Sequence, residues 1–214
     1  GAAAQGDVPL FEVSVNKFLM GTKVETTARH ARIVDCKKAL VMAYQEMARV
    51  EALLSSHDVG SEISKINRAA GVQPVVVSDE TFAIVQRAKV YGQRLDGLFD
   101  MSIGPVRDLW GFNHDGDVQV PNRRVLAQKR DLVDYRAVVL DSVQNSVFVT
   151  QRGAKVDLGA IAKGYAIDRG VAVLKDQGIR HFLLNAGGDI YVSGQKDAQT
   201  DWRVGVKHPR QLQG

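Results

Sequence analysis

Two short stretches of this chain hold residues whose types and spacing suit chemistry. Asp157-Leu158-Gly159-Ala160-Ile161-Ala162-Lys163 sets an acid, two small residues and a lysine at the entrance to a run that reads as a helix over Ala160 to Lys175. Gly187-Gly188-Asp189 stands as a tight turn between His181 to Ala186 and Ile190 to Ser193, which read as strands. A helix start presents unpaired backbone N–H groups and the positive end of the macrodipole, so small residues there let a phosphate reach the backbone. Lys163 lies in the first turn, where the dipole disfavours a cation, and a nearby anion accounts for it better than solvent does. Lys175-Asp176-Gln177-Gly178 closes the helix with a cation and a glycine stop. Singly, each feature has an ordinary explanation: Gly-Gly-Asp is most often a plain hairpin turn, and a helical lysine is usually solvated. Combined with Asp157 and Asp189 in one supersecondary unit, they point to phosphate and metal chemistry.

The elements that must position these residues are mixed rather than strictly alternating. Phe11 to Ala28 reads as a strand bent at Met20-Gly21-Thr22, and Ala31 to Cys36 as a second strand. Lys37 to Leu54 predicts an amphipathic helix with Val41, Tyr44, Met47, Ala48 and Leu54 on its apolar face, which makes Met42 and Met47 packing residues. Ser78-Asp79-Glu80 opens a helix running to about Leu95. Arg136 to Leu140 and Ser146 to Thr150 predict a hairpin around Asp141 to Asn145. The fold class expected is α+β, with mixed sheets and packed helices.

Other residues have two readings each. Phe99 and Met101 suit contact with a planar ring and Asp100 could accept a hydrogen bond from a ribose or base; a helix-to-loop junction with a buried Phe explains them equally well. Ser61, Glu62, Ser64 and Asn67 put polar groups on adjoining turns, where Ser61 reads as a helix cap and Asn67 as the better ligand candidate. His30, His57, His114, His181 and His208 show no metal-ligand spacing and read as structural or solvent-facing. No GxSxG elbow, P-loop or strand-to-helix GxGxxG is present, which argues against the commonest hydrolases, P-loop nucleotidases and Rossmann dehydrogenases.

Composition sets the bounds. With 214 residues, 45% of them hydrophobic, the chain can bury a sizeable core and is expected to form one folded unit over 1–214 behind a flexible leader at 1–10. A net charge of +4 mildly favours an anionic ligand, while the dispersion of the basic residues, outside pairs such as Arg123-Arg124 and Lys129-Arg130, argues against nucleic acid. Cys36, the single cysteine, cannot form an intramolecular disulfide and reads as a small buried hydrophobe. No run reaches transmembrane length, and no charged-then-apolar signal segment precedes the first strand.

Five collinear segments carry a family resemblance. Asp157 to Asp168 and Asn185-Ala186-Gly187-Gly188-Asp189-Ile190 resemble the two central motifs of the ApbE family, the FAD:protein FMN transferases. Met20-Gly21-Thr22 resembles its N-terminal motif, Ser61 to Asn67 its serine-glutamate-to-asparagine segment, and Gly97 to Pro105 with Leu109-Trp110-Gly111-Phe112 its Phe-Asp and Trp-Gly-Phe segment. The resemblance implies transfer of FMN from FAD to a threonine or serine hydroxyl of an acceptor flavoprotein, dependent on Mg2+ and releasing AMP. A protein that binds FAD, or hydrolyses it without an acceptor, is the alternative. It further implies that the Ala160 carbonyl is a metal ligand and that Met20, Asn67, Phe99, Asp100, Met101, Lys163, Gly187, Gly188 and Asp189 face FAD. Family members are commonly exported and often lipid-anchored, so a periplasmic or membrane-anchored location is expected by resemblance alone.

One departure stands out. After Trp202-Arg203-Val204-Gly205 the family continues into motifs that supply a further acidic metal ligand, a threonine and a proposed histidine base, and nothing after Asp189 resembles them. The catalytic acid and base are therefore expected beyond Gly214, a fragment or nicked protein is favoured over a short paralogue that binds flavin without transferring it, and a C-terminal continuation is an expected partner.

Overall fold

A computed structural model describes residues 9–111, 120–197 and 199–206. The expectations for Phe112, His114, His208, most of the leader and the polar stretch after Val206 lie outside these residues. The backbone divides into two compact units, 1–48 with 166–214 and 49–165, the divisions falling inside two helices.

The first unit is built on an antiparallel four-stranded sheet. Strands β1 (Phe11–Leu19) and β2 (Thr22–His30) pair from Phe11↔His30 to Leu19↔Thr22, so the loop between them has only Met20 and Gly21. Both adopt positive φ, 53° and 68°, the mirror-image turn that matches strand twist. Strands β6 (His181–Ala186) and β7 (Asp189–Ser193) complete the order β1-β2-β6-β7. Alternation along the strands buries Val24, Thr26, Ala28, Phe182, Leu184 and Ala186 on one face. Helix α1 (Ile33–Leu54) contributes Tyr44, whose hydroxyl lies 3.1 and 3.0 Å from the carbonyls of Val15 and Val24. Helix α6 (Gly159–Asp176) approaches α1 through Gly170, where an added Cβ would lie 3.0 Å from Met47 Cγ.

The strand expected over Ala31 to Cys36 is absent, because α1 starts at Ile33. The β-branched pair Ile33-Val34 is 40% and 74% exposed, whereas Cys36, Ala39, Leu40, Ala43, Tyr44, Met47, Val50 and Leu54 are buried at helical spacing. The same phase turns Val41 to solvent, 51% exposed, away from the apolar face expected for it. Cys36 is buried as expected, and burial pushes its thiol up, away from the reactive thiolate.

The second unit carries helix α2 (Glu62–Arg68), capped by Ser61 as expected, and helix α3 (Asp79–Arg94), capped by Ser78. Strands β3 (Val75–Val76), β4 (Val138–Asp141) and β5 (Ser146–Val149) form an antiparallel sheet of order β3-β5-β4 that contains the expected hairpin. Short helix α4 (Gly104–Arg107) and helix α5 (Arg123–Arg130) follow α3 in sequence. The fold is α+β. No helix among the described residues is long and apolar enough to cross a membrane.

Candidate functional site

In the second unit the candidate site is organised around the extended segment Lys155–Asp157 that leads into α6. One side is clasped by the turn carrying Asp100 and Met101: Asp157 N–H donates to the Met101 carbonyl at 2.7 Å, Gly104 N–H to the Lys155 carbonyl at 3.2 Å, and Ile103 bridges Lys155 in parallel. Contact is so close at Gly104 that a Cβ there would lie 2.7 Å from the Lys155 carbonyl oxygen. On the other side Asn67 takes both polar groups of Val156. Its Nδ2 donates to the Val156 carbonyl at 2.9 Å and its Oδ1 accepts from Val156 N–H at 2.7 Å. Val156 is wholly buried, so the Asn67 amide supplies hydrogen bonds that water would otherwise have to provide.

Asp157 ends this segment as a buried carboxylate, its side chain 7% exposed. One oxygen accepts from Gly159 N–H at 2.6 Å, which satisfies a donor at the α6 entrance, and the other meets the Arg107 guanidinium and, at 3.4 Å, the Ser56 hydroxyl. Arg107 also pairs with Asp108 at 3.0 Å, and Lys155 Nζ reaches the second Asp108 oxygen at 2.6 Å. Burial works against charge on Asp108, but the hydrogen bonds from Lys155 and Arg107 outweigh it and hold the carboxyl below its ordinary value.

Beside this network lies a cavity of 280 Å³ lined by Ser56, His57, Asn67, Arg68, Arg107 and Lys155 among others. Three permanent cations face one carboxylate, Asp108, so the lining suits an anionic ligand. Burial and the cations Arg107 and Lys155, opposed by Asp108, push the His57 imidazole below its ordinary value. A group with a lowered folded value favours the neutral form, so its stabilising contribution is full above the unfolded value and falls as pH drops through it. Acidification from pH 7.5 to about 5.5 is therefore expected to lower the melting temperature, and His57→Gln to flatten that part of the profile. An unchanged profile in the variant would remove His57 from the account.

The sequence-predicted residues of this unit have specific places. Asp100 spends its carboxylate internally, accepting from Ser102 N–H at 2.8 Å, Ser102 Oγ at 2.6 Å and Tyr135 N–H at 2.9 Å. Phe99 is half-buried and packs edge-on to Tyr91, with centroids 6.0 Å apart. Met101 is 1% exposed, so the side chain expected to press on a ring is packed in the interior, and its contribution to the clasp is a backbone carbonyl. Ala160 is exposed in the first turn of α6, and Lys163 is half-buried at the end of that turn. Among the described residues no group of three or more His, Cys, Asp or Glu could hold a metal ion. The Ala160 carbonyl by itself does not make an oxygen cage for magnesium.

In the first unit two predicted motifs meet. Gly187 N–H donates to the Lys23 carbonyl at 3.2 Å, and a Cβ on Gly187 would lie 3.0 Å from Thr22 Cβ. The Met20-Gly21-Thr22 turn and the Gly187-Gly188-Asp189 turn are thus held against each other at one end of the sheet. Gly187 and Gly188 have φ of 60° and 100°, and Gly188 N–H is capped by Asn185 Oδ1 at 2.9 Å. Met20 holds the left-handed region without being glycine, a conformation that tends to mark functional turns. Gly187, Gly188 and Asp189 are exposed.

Sequence reasoning overlooked Arg107, Ser56 and Lys155 and set His57 aside. Ser56 and Asp157 are 101 residues apart, and no local periodicity connects them.

The pattern of the ApbE family matches residues 20–214. This chain belongs to the ApbE family. Among its relatives, a FAD:protein FMN transferase of Klebsiella pneumoniae is 36% identical over 166 residues, covering 78% of this chain and 50% of the relative. One from Treponema pallidum is 29% identical over 212 residues, covering 92% and 58%. Of solved structures, the ApbE protein of Thermotoga maritima superposes with a TM-score of 0.84 at 30% identity, covering 95% of this chain and 65% of that one. The flavin transferase ApbE of Vibrio cholerae gives 0.84 at 26% identity, covering 94% and 65%. The chain spans about half the length of the curated relatives it matches and about two thirds of the solved ApbE chains.

Proposed function

We propose that this chain binds FAD and belongs to an enzyme that transfers FMN from it to a threonine or serine hydroxyl of an acceptor flavoprotein. The observation that carries the reading is the cation-lined cavity beside the α6 entrance, set next to the residues that match the family's motifs. A dinucleotide pyrophosphate is the anion such an entrance suits, with the cations of the cavity compensating its charge. In the transfer, the acceptor hydroxyl oxygen bonds to the FMN phosphorus, the bond from that phosphorus to the bridging oxygen breaks, AMP leaves, and the hydroxyl proton departs to a base. A hard divalent cation, magnesium, would neutralise charge on the pyrophosphate oxygens; the described residues do not complete its ligand set, so this chain's part is to bind and orient FAD. A location on the exported side of the membrane belongs to the same proposal, by kinship with the family.

The test mixes the protein with FAD, magnesium and a threonine-bearing acceptor, then measures AMP and flavin fluorescence on the denatured acceptor. Both products support transfer, AMP alone supports a pyrophosphatase, and bound FAD with neither product reduces the chain to a binding protein. Lys163→Ala and Asp189→Ala are each expected to weaken FAD use about ten-fold, roughly the worth of one charge-assisted hydrogen bond, and to leave the melt nearly unchanged. Normal FAD use with a large loss of stability would make both residues structural.

A further inference from the structure

Arg107 lies outside every residue the sequence singled out for chemistry, yet it lines the cavity and carries a cation to the Asp157 carboxylate at the α6 entrance. It extends from α4 to Asp157, whose other oxygen holds Gly159 N–H, so the guanidinium sits one hydrogen bond away from the first amide of α6. Its second contact, to Asp108 at 3.0 Å, ties it to Lys155 through the shared carboxylate. A third, to Ser56 Oγ at 3.2 Å, fixes the approach from the loop before α2. Its Nε is buried without a hydrogen-bond partner among the described residues, so the bonds that hold the guanidinium all run through its two terminal nitrogens. A side chain built only to neutralise a buried acid would not need to be braced from Ser56 and Asp108 as well. That bracing fixes where the Asp157 carboxylate points, and hence the geometry that Gly159 and the residues after it present to a ligand.

We propose that Arg107 is a positioning residue for the dinucleotide: it neutralises and orients Asp157, which in turn sets the α6 entrance to receive a phosphate. The role rests on the FAD reading above and goes beyond it, since it names a residue that acts through another one. Loss of the guanidinium leaves Asp157 buried without its cation and lets the entrance relax, so phosphate affinity falls even though Arg107 need not touch the ligand.

The experiment measures FAD dissociation constants and thermal melts for the unaltered chain, Arg107→Met, Arg107→Lys, Asp157→Asn and the Arg107→Met/Asp157→Asn double variant. Arg107→Met is expected to bind FAD about 10- to 100-fold more weakly, by analogy with the loss when a group that orients a metal ligand is removed. Arg107→Lys should recover most of that loss by restoring the cation. The double variant should bind no worse than Arg107→Met, because the two single changes act on one interaction. Wild-type affinity in Arg107→Met together with a lower melt, or no advantage of Lys over Met, would overturn the role. If Arg107→Met does not fold, a double variant that is additive with Arg107→Lys and Asp157→Asn, built as Arg107→Lys/Asp157→Asn, overturns it equally. Failure of the unaltered chain to bind FAD is a separate result, which removes the flavin reading and this role with it.

Discussion

Asn67→Ala is expected to destabilise the protein by about 3 kcal/mol, measured by urea denaturation, because it strands two backbone groups at once. The Val156 N–H and carbonyl are both bonded to this one side chain, at 2.7 and 2.9 Å, and Val156 itself is wholly buried. An unsatisfied buried polar group costs about 1–3 kcal/mol, so two cost about 2–6 kcal/mol, and the expected figure lies in the lower half of that range. The adjoining cavity moderates the loss, since Asn67 is part of its lining and water can follow the truncation from that side. Asn67→Asp separates the two bonds. Aspartate still accepts from Val156 N–H but cannot donate to the carbonyl, and its charge meets that carbonyl oxygen unfavourably. It should be no more stable than the alanine variant at pH 7 and should improve in acid, as the carboxyl protonates. A loss below about 1 kcal/mol for Asn67→Ala would mean that the bonds to Val156 are replaced freely, leaving Asn67 with a ligand-facing role only.

Gly104→Ala is expected to lower stability by about 1–3 kcal/mol, through overpacking against backbone rather than against a movable side chain. The added methyl would lie 2.7 Å from both the Lys155 carbonyl oxygen and Lys155 Cβ. To relieve that, the Lys155–Asp157 segment must move off the Met101–Gly104 turn, which breaks the 3.2 Å bond from Gly104 N–H to Lys155 and strains the 2.7 Å bond from Asp157 N–H to Met101. Gly164→Ala in the second turn of α6 is the contrast. A Cβ there meets nothing within 4 Å, so the change should stabilise the helix by about 0.5–1 kcal/mol. Equal stability of the two alanine variants in calorimetry would show that the turn and the segment are not in firm contact.

Local pattern made much of this fold legible. The α3 cap at Ser78, the β4–β5 hairpin, α6 and the strands on either side of Gly187-Gly188 all follow from caps, alternation and turn residues within a few positions of one another. The same reasoning misread Ala31 to Cys36, a short apolar run that reads as a strand. Helical burial of Cys36, Leu40 and Tyr44 against the rest of the unit outweighed that preference. Met101 shows the complementary difficulty: a large apolar residue beside a polar motif has the same signature whether it packs inside or faces a ligand.

What the sequence by itself determined was the family and the motif positions, because five short blocks keep their residue types and order however the chain is packed. Only the tertiary structure decided what those residues do to one another. It bonded Asn67 to the Val156 backbone, turned the Asp100 carboxylate inward, and brought Arg107 and Ser56 to Asp157 from separate elements. The physical reason is that hydrogen bonds and ion pairs depend on distances of about 3 Å between groups far apart along the chain. Residue spacing encodes a helix face or a strand pair; the meeting of three elements at one carboxylate exists only once they are packed.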